Sequence, residues 1–374
     1  MNRRTFLAVA GSGLAITRIS QRACGASAAS VKPTIEGDIA WYDARQWGVE
    51  GKGWADTERY FDRLPARAKA SVRDAVWNLS RHSAGMVLPF ASNARTIHAR
   101  YTLLSDRLAM DHMPATGVSG LDLYAHDQQK RWAWLGVARP KSKNVNVKLA
   151  DGLIAGSRAY RVYLPLYNGV DSLEIGVPVK ATFTPMPPRT SKPLLFYGTS
   201  ITHGACASRP GMPHPAILGR RLDRPVINLG FSGNGEMERE VGALIMEIDA
   251  AVYVIDCLPN LTGDQVAERA EPLVRQLREA RAQTPIVLVE DRTYANAQFK
   301  PSSQERHRAS RAALRKAYDR LIADGFKHLH YIPGEGQLGD DTEGTTDSSH
   351  PNDLGFMRMA DALEPTLRRT IKQA

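Results

Sequence analysis

A serine, an aspartate and a histidine in the second half of the chain have the types and spacing that nucleophilic catalysis needs. Ser200 lies in the segment GTSITHG (198–204), where a predicted strand turns sharply into a helix and exposes the hydroxyl. Such a helix start presents amide donors to developing negative charge. Asp347 and His350 lie three residues apart, so the carboxylate can hold one imidazole nitrogen while the other faces the serine. These residues predict a Ser-His-Asp triad.

Further polar groups follow other predicted strands. In the segment NLGFSGNG (228–235), Gly230 can bring its N–H close to a bound oxygen, and the Asn260 side chain carries an N–H₂ group able to bond an oxyanion. For each residue alone, an ordinary turn is the competing interpretation. Arg209 could contact a sugar hydroxyl or carboxylate, and His203 suits a capping or substrate-contact role better than that of a base.

The elements that position these residues are predicted from short apolar runs alternating with amphipathic stretches. Strands separated by helices favour a five-stranded parallel sheet, in which sites form at the carboxyl ends of the strands. The stretches 265–281 and 304–323 are long enough for crossover helices, and the sheet is expected to carry helices on both faces. The predicted strands are 194–197, 226–229, 251–255, 286–289 and 329–332.

The first half of the chain has a different pattern, with short strand-like runs separated by Gly, Asn, Asp and Pro. These runs are 96–103, 132–137, 160–164 and 172–177, whereas 63–79 is ambiguous between a helix and a strand or loop. The polar, proline-rich stretch MPPRTSKP (186–193) reads as a connector. We therefore predict a mostly β domain over residues 36–186 and an α/β domain over 193–372.

Residues 1–28 have the features of an export signal. Two adjacent arginines, Arg3 and Arg4, precede an apolar stretch and small residues near Ala28, which resembles a twin-arginine signal. We expect cleavage there and a periplasmic or secreted protein. Removal of the four arginines in this segment would lower the formal net charge from +10 to +6.

Composition limits the other classes of function. No apolar run reaches the length of a membrane span, and no Lys/Arg stripe is interleaved with aromatics, so nucleic-acid binding is not expected. No metal-ligand spacing emerges from the histidines. The two cysteines past the signal, Cys206 and Cys257, are too few for a disulfide-rich scaffold. We expect them to be buried free thiols, with a single disulfide between them as the alternative.

The order of the motifs resembles the SGNH/GDSL hydrolase family. The family's four blocks match Ser200, Gly230, Asn260 and His350, although the first block reads Gly-Thr-Ser in place of Gly-Asp-Ser. The segment GLDLY (120–124) resembles the GxDLY signature of an N-terminal β-sandwich, jelly-roll-like, that precedes some bacterial members. The resemblance implies a flavodoxin-like catalytic domain. Read locally, that segment could instead close a turn and fill the sandwich core.

The resemblance further implies an ester hydrolase that needs no metal or cofactor. Ser200 would attack, His350 would take its proton, Asp347 would complete the triad, and the amides of Ser200 and Gly230 with Asn260 would bind the oxyanion. Similar two-domain members are carbohydrate O-acyl esterases, chiefly acetylesterases. The alternatives are a lipid or thioester hydrolase on the same triad and a non-catalytic carbohydrate-binding protein. The sugar, the acyl group and the oligomeric state are not specified by the sequence.

Overall fold

The computed structural model describes residues 31–372, and the predicted export signal lies outside them. The first half forms two antiparallel sheets, with strand orders β1-β2-β9-β4-β7 and β10-β3-β8-β5-β6. The strands are β1 (Thr34–Glu36), β2 (Ile39–Asp43), β3 (Val87–Ser92), β4 (Ile97–Leu103), β5 (Asp122–His126), β6 (Trp132–Val137), β7 (Asn144–Ala150), β8 (Arg158–Tyr163), β9 (Val170–Pro178) and β10 (Phe183–Pro185).

Alternating side chains explain why these strands form a sandwich. Along β4, odd positions from Ile97 to Leu103 are buried and the residues between them are partly exposed, which is the pattern of a strand with one buried face. The buried faces of both sheets supply one core, in which Phe90 stacks on Tyr160 with ring centroids 5.0 Å apart. The β-sandwich prediction is confirmed.

The second half is built on a five-stranded parallel sheet of order β12-β11-β13-β14-β15, as predicted. Its central strands are buried along their whole length because helices cover both faces. The strands are β11 (Leu194–Gly198), β12 (Val226–Gly230), β13 (Val252–Asp256), β14 (Ile286–Val289) and β15 (Leu329–Ile332).

The helices divide into two groups. Helices α5, α6 and α7 pack against one another on one face of the sheet, and α4 packs against α8 on the other face. A capping box starts α6, since the Thr262 hydroxyl accepts from the Gln265 N–H while the Gln265 side chain accepts from the Thr262 N–H. The helices are α1 (Asp74–Ser80), α2 (Ala115–Val118), α3 (Ser200–His203), α4 (His214–Arg221), α5 (Arg239–Ile245), α6 (Gly263–Ala280), α7 (Pro301–Ala323) and α8 (Asp353–Ile371).

The ambiguous stretch 63–79 belongs structurally to the α/β half. It forms a 3₁₀ turn at Ala66–Ala70 and then α1, and Leu64 and Trp77 pack into the core on the α5–α7 face. Leu64 and Trp77 contact residues that lie far from them along the chain. This packing stabilises the helical turns of 63–79, whose local propensities are mixed. The two halves therefore share a packed boundary.

Two other sequence predictions can be examined within residues 31–372. None of the helices there combines the length and the apolar character needed to cross a membrane. Cys206 and Cys257 are both buried and free, as expected.

Candidate active site

Ser200 lies at the first position of α3, two residues after the last residue of β11, an inner strand of the parallel sheet. The turn is sharp because Gly198 has no side chain, since a Cβ there would lie 2.1 Å from the Thr202 hydroxyl oxygen. The Thr199 side chain caps the short helix, and the Thr202 hydroxyl donates to the buried Asp256 carboxylate at 3.2 Å. Hydrogen bonds of the residues before and after Ser200, Thr199 and Thr202, therefore fix the turn that carries the serine.

The structure brings the three predicted triad residues together. Ser200 Oγ lies 2.8 Å from His350 Nε2, and His350 Nδ1 lies 2.7 Å from Asp347 Oδ2. The other carboxylate oxygen, Asp347 Oδ1, accepts from the backbone N–H groups of Ser349 at 3.1 Å and His350 at 2.8 Å. The Thr346 N–H donates to the His350 carbonyl at 2.9 Å and closes the loop.

The environment keeps the Asp347 carboxylate charged. Its burial raises the pKa, but the N–H and imidazole of His350 and the Ser349 N–H outweigh that effect and hold the pKa below its usual value. A charged carboxylate at Nδ1 favours the imidazole tautomer with its free lone pair on Nε2, toward Ser200. The arrangement can accept the serine proton.

Gly230 does not have the role predicted for it. Its N–H donates to Asn228 Oδ1 at 2.9 Å and is therefore already used. The residue packs against α3 so closely that a Cβ would lie 2.1 Å from the His203 nitrogen. Its carbonyl accepts from the guanidinium of Arg63 at 2.7 Å. Gly230 is a packing glycine, which corrects the sequence assignment.

Arg63 had no signal in the sequence, because its partners are backbone carbonyls rather than acidic side chains. Its fully buried guanidinium donates to four carbonyl oxygens, two of them at Asn228 and Gly230 below the active-site loop. Burial lowers the pKa of Arg63 to about 9. Arg63 thus connects the 63–79 stretch to the end of β12, from which the loop 231–235 continues.

Gly233 and Asn260 carry N–H donors that no acceptor among residues 31–372 uses. Gly233 is exposed with a left-handed φ of +68°, and among residues 31–372 its N–H has no protein acceptor. In the amide orientation that satisfies both bonds, Asn260 Oδ1 accepts from the N–H groups of Gly235 at 3.0 Å and Asn234 at 2.9 Å. Its N–H₂ group is thus left for another acceptor. The predicted segment contained three glycines, and only the backbone conformation distinguishes Gly233 from Gly230.

Arg209 is used within the protein rather than held free for substrate. Its Nη1 donates to the fully buried Asp122 carboxylate at 2.9 Å and to the Tyr124 hydroxyl at 2.5 Å. Asp122 also accepts from the Trp134 indole at 2.8 Å and from the Gly211 N–H at 2.8 Å. The GLDLY segment of the sandwich therefore bonds to the loop that follows the nucleophile helix, and neither Asp122 nor Tyr124 merely closes a turn.

The same loop is connected to the helix that follows the histidine. The N–H of Ser208 donates to Asp353 at 2.9 Å and its hydroxyl donates to the same carboxylate, while its carbonyl accepts from the Thr116 hydroxyl of the sandwich at 2.6 Å. Asp353 is the first residue of α8, three positions after His350. We name the contacts of Asp122, Tyr124, Arg209 and Gly211 the interdomain latch.

Two other histidines lie close to the site, and one of them, His203, is placed differently from the sequence interpretation. His203 is fully buried beneath the site and stacks on Tyr167, with ring centroids 4.2 Å apart, so it does not face substrate. Burial, with Arg63 and His82 nearby, holds its pKa well below the usual value. By contrast, exposed His112 from the sandwich half lies 6.1 Å from His350, ring to ring. No sequence spacing pointed to that proximity.

Comparison with known proteins agrees with this architecture. Residues 191–368 match the GDSL-like lipase/acylhydrolase family, and residues 39–183 match the GxDLY family, described as the N-terminus of SGNH hydrolase-type esterases. A crystal structure from Bacteroides ovatus, described as a GDSL-like lipase, is 32% identical, with a TM-score of 0.85, and the match covers 90% of this chain and 99% of that one. No curated protein sequence matches the chain.

Two more distant structures share the fold. The salicylyl-acyltransferase SsfX3 of a tetracycline biosynthetic pathway is 17% identical, with a TM-score of 0.66 over 90% of this chain and 96% of that one. A family two carbohydrate esterase from Cellvibrio japonicus is 13% identical, with a TM-score of 0.60 over 90% and 98%.

Fold and comparisons together define the class as a two-domain carboxylic ester hydrolase. The chain belongs to the GDSL/SGNH hydrolase family and carries its GxDLY-type N-terminal domain.

Proposed function

We propose that this chain is an exported serine esterase that removes O-acyl groups, chiefly acetyl, from carbohydrate. The observation that carries the proposal is the continuous hydrogen-bond path from Ser200 through His350 to Asp347, with heavy-atom distances of 2.8 and 2.7 Å. Those distances lie within the range that general-base activation of a nucleophile requires. Export rests on the signal-like residues 1–28.

In the proposed reaction, His350 Nε2 takes the Ser200 proton as Oγ attacks the ester carbonyl carbon. The resulting imidazolium is stabilised by Asp347 and then gives its proton to the departing sugar alkoxide as the C–O bond breaks. Water, deprotonated by His350, attacks the acyl-serine carbonyl and releases the carboxylic acid, which restores the serine hydroxyl. Each proton transfer in this scheme thus has a donor and an acceptor among water, the substrate, Ser200 and His350.

The negative charge that develops on the carbonyl oxygen needs hydrogen-bond donors. Three candidates are the Ser200 N–H at the start of α3, the Gly233 N–H and the Asn260 Nδ2 group. The first turn of a helix leaves its amide without an intrahelical partner, and Asn260 is oriented by two backbone donors before substrate arrives. Such preorganisation lowers the barrier because the donors need not reorient during the reaction.

The surroundings of the triad support a small acyl group on a hydrated alcohol. His350 and Asp347 keep 27% and 44% of their side-chain surface exposed, and the exposed His112 ring lies 6.1 Å from the His350 ring. A long acyl chain needs an apolar groove, whereas these three side chains are polar. The shared fold of the Cellvibrio japonicus carbohydrate esterase supports the same substrate class.

Purified protein is expected to hydrolyse nitrophenyl acetate faster than the octanoate and to release acetate from acetylated polysaccharide. A Ser200→Ala variant should lose this turnover, because no nucleophile remains, and Ser157→Ala, a change in a remote exposed loop, should keep it. Preference for octanoate would instead favour a lipid or thioester hydrolase. Polysaccharide binding without turnover would favour a binding protein.

Replacing Asn260 with Ala should lower kcat by on the order of 100-fold or more, because one oxyanion donor is lost while the nucleophile and base remain. The KM for nitrophenyl acetate should change little, since the bond is strongest in the transition state. Steady-state kinetics of Asn260→Ala beside Asn146→Ala, an exposed strand residue, measures both constants. A loss of kcat below about tenfold would remove Asn260 from the proposed site.

A further inference from the structure

A third chemically reactive side chain lies beside the proposed base and acid. Cys206 Sγ, a carboxylate oxygen of Asp347 and a ring nitrogen of His350 all lie within 4.8 Å of one another. Cys206 follows α3 in the loop and is buried, with a left-handed φ of +68° that few non-glycine residues adopt. The ester hydrolysis described above makes no use of this thiol.

Backbone hydrogen bonds hold the thiol in place, and solvent reaches the other two groups of the cluster. The Ala207 N–H donates to the Gly204 carbonyl at 3.1 Å on one side of the cysteine, and the Ala205 N–H donates to the Ser200 carbonyl on the other at 2.9 Å. Asp347 and His350, in contrast, are partly exposed on their loop. A dissolved ion can therefore reach the cluster from the side of Asp347 and His350.

Thiolate, imidazole and carboxylate are the ligands that Zn²⁺ and similar soft divalent cations bind in proteins. With metal–ligand bonds of about 2.0–2.3 Å, ligand atoms on a tetrahedral ion lie roughly 3.3–3.8 Å apart. The largest separation that the cluster allows, 4.8 Å, would thus have to shorten by about 1.0–1.5 Å. Three protein ligands leave the fourth position to water. The sequence did not reveal the set because Cys206 lies far along the chain from Asp347 and His350.

We propose that Cys206, Asp347 and His350 form an inhibitory binding site for a thiophilic divalent cation such as Zn²⁺. On binding, the thiol releases its proton to solvent and the sulfur coordinates as thiolate. If the ion binds His350 Nδ1, the ring proton resides on Nε2; if it binds Nε2, the lone pair there is occupied. In either case the imidazole can no longer accept the Ser200 proton. Inhibition thus rests on the proposed esterase function, whereas binding does not.

Binding is tested without any enzymatic readout by titrating Cd²⁺ into full-length protein that carries Ser200→Ala and Cys24→Ala, the second change removing the thiol of the predicted export signal. One equivalent of the ion should produce the ultraviolet charge-transfer absorbance of a cadmium–thiolate bond. The further substitution Cys206→Ser should abolish this absorbance. The further substitution Cys257→Ala, which removes the other buried thiol, should leave the absorbance unchanged. Circular dichroism checks that each variant is folded. Absence of the band in Ser200→Ala, or its persistence in the Cys206→Ser variant, would overturn the site.

Inhibition is tested on the active enzyme. Zn²⁺ should inhibit nitrophenyl acetate hydrolysis by wild-type protein, and a chelator should restore it. Cys206→Ser should keep the activity measured without zinc and need at least about tenfold more Zn²⁺ for half-inhibition, because one ligand is lost. Cys206→Ala provides a second variant if the serine disturbs the loop. Equal zinc sensitivity in these variants would contradict the assignment, and inactivity of the wild type would count against the esterase proposal alone.

Discussion

An Asp347→Asn variant is expected to lose kcat by on the order of 10³- to 10⁴-fold while binding substrate as before. The carboxylate accepts from the imidazole Nδ1 at 2.7 Å and from two backbone N–H groups. An asparagine amide could instead donate to Nδ1, which would place the ring proton on Nε2 and leave no lone pair for the Ser200 proton. It would also remove the negative charge that stabilises the imidazolium.

The measurement is steady-state hydrolysis of nitrophenyl acetate, with Asp340→Asn as a matched control at an exposed carboxylate on the same connection. The control should retain wild-type rates. Because the environment holds the pKa of Asp347 below its usual value, the loss should be present throughout the neutral pH range. If Asp347→Asn stays within about tenfold of wild type, the acid is not required and a Ser-His pair suffices.

The second large effect is expected at the interdomain latch, where Asp122→Ala should lower the free energy of unfolding by about 3 kcal/mol. The Asp122 carboxylate is fully buried and accepts from Arg209, Gly211 and Trp134. Its removal would leave Arg209 without an acidic partner among the described residues and the Gly211 N–H without an acceptor. The value is at the lower end for buried pairs because Arg209 retains 21% exposure.

Activity should fall together with stability in that variant. The latch holds the 208–211 loop, and this loop bonds to Asp353 at the start of the helix after His350. Denaturant unfolding and kcat should therefore be compared in Asp122→Ala and in Asp171→Ala, an exposed carboxylate of the same sandwich. Unchanged stability in Asp122→Ala would show that the latch contributes nothing; lost stability with unchanged kcat would separate it from the active site.

The sequence predicted the regular elements well where hydrophobic periodicity is strong. Strands β14 and β15 begin and end where they were predicted, and α6 and α7 differ from prediction by a few residues. The reason is that the apolar and polar residues of a buried strand or an amphipathic helix follow its pattern of burial, so the sequence shows the element directly. The 63–79 stretch has no such periodic pattern, since its conformation depends on packing against core residues that are distant along the chain.

For the candidate site, local motifs selected Ser200, Asp347 and His350, which the structure brings within hydrogen-bond distance of one another. Ser200 follows β11 and the Asp-His pair lies on the connection after β15, and parallel topology brings such connections to one edge of the sheet. The sequence could not show that the Gly230 N–H is already bonded to Asn228, because glycines of one segment differ only in backbone direction and hydrogen bonding. These properties are set by neighbouring elements and not by residue type.

The sequence by itself therefore determined the two-part architecture, the family and the residues whose chemistry suits ester hydrolysis, because these are encoded by local pattern and by motif order. Only the tertiary structure decided that Arg209 belongs to the latch, that Arg63 secures the active-site loop and that Cys206 lies beside His350 and Asp347. Those relations join residues far apart along the chain. They depend on how the sandwich and the α/β sheet pack together, and the spacing of residues along the chain does not determine that packing.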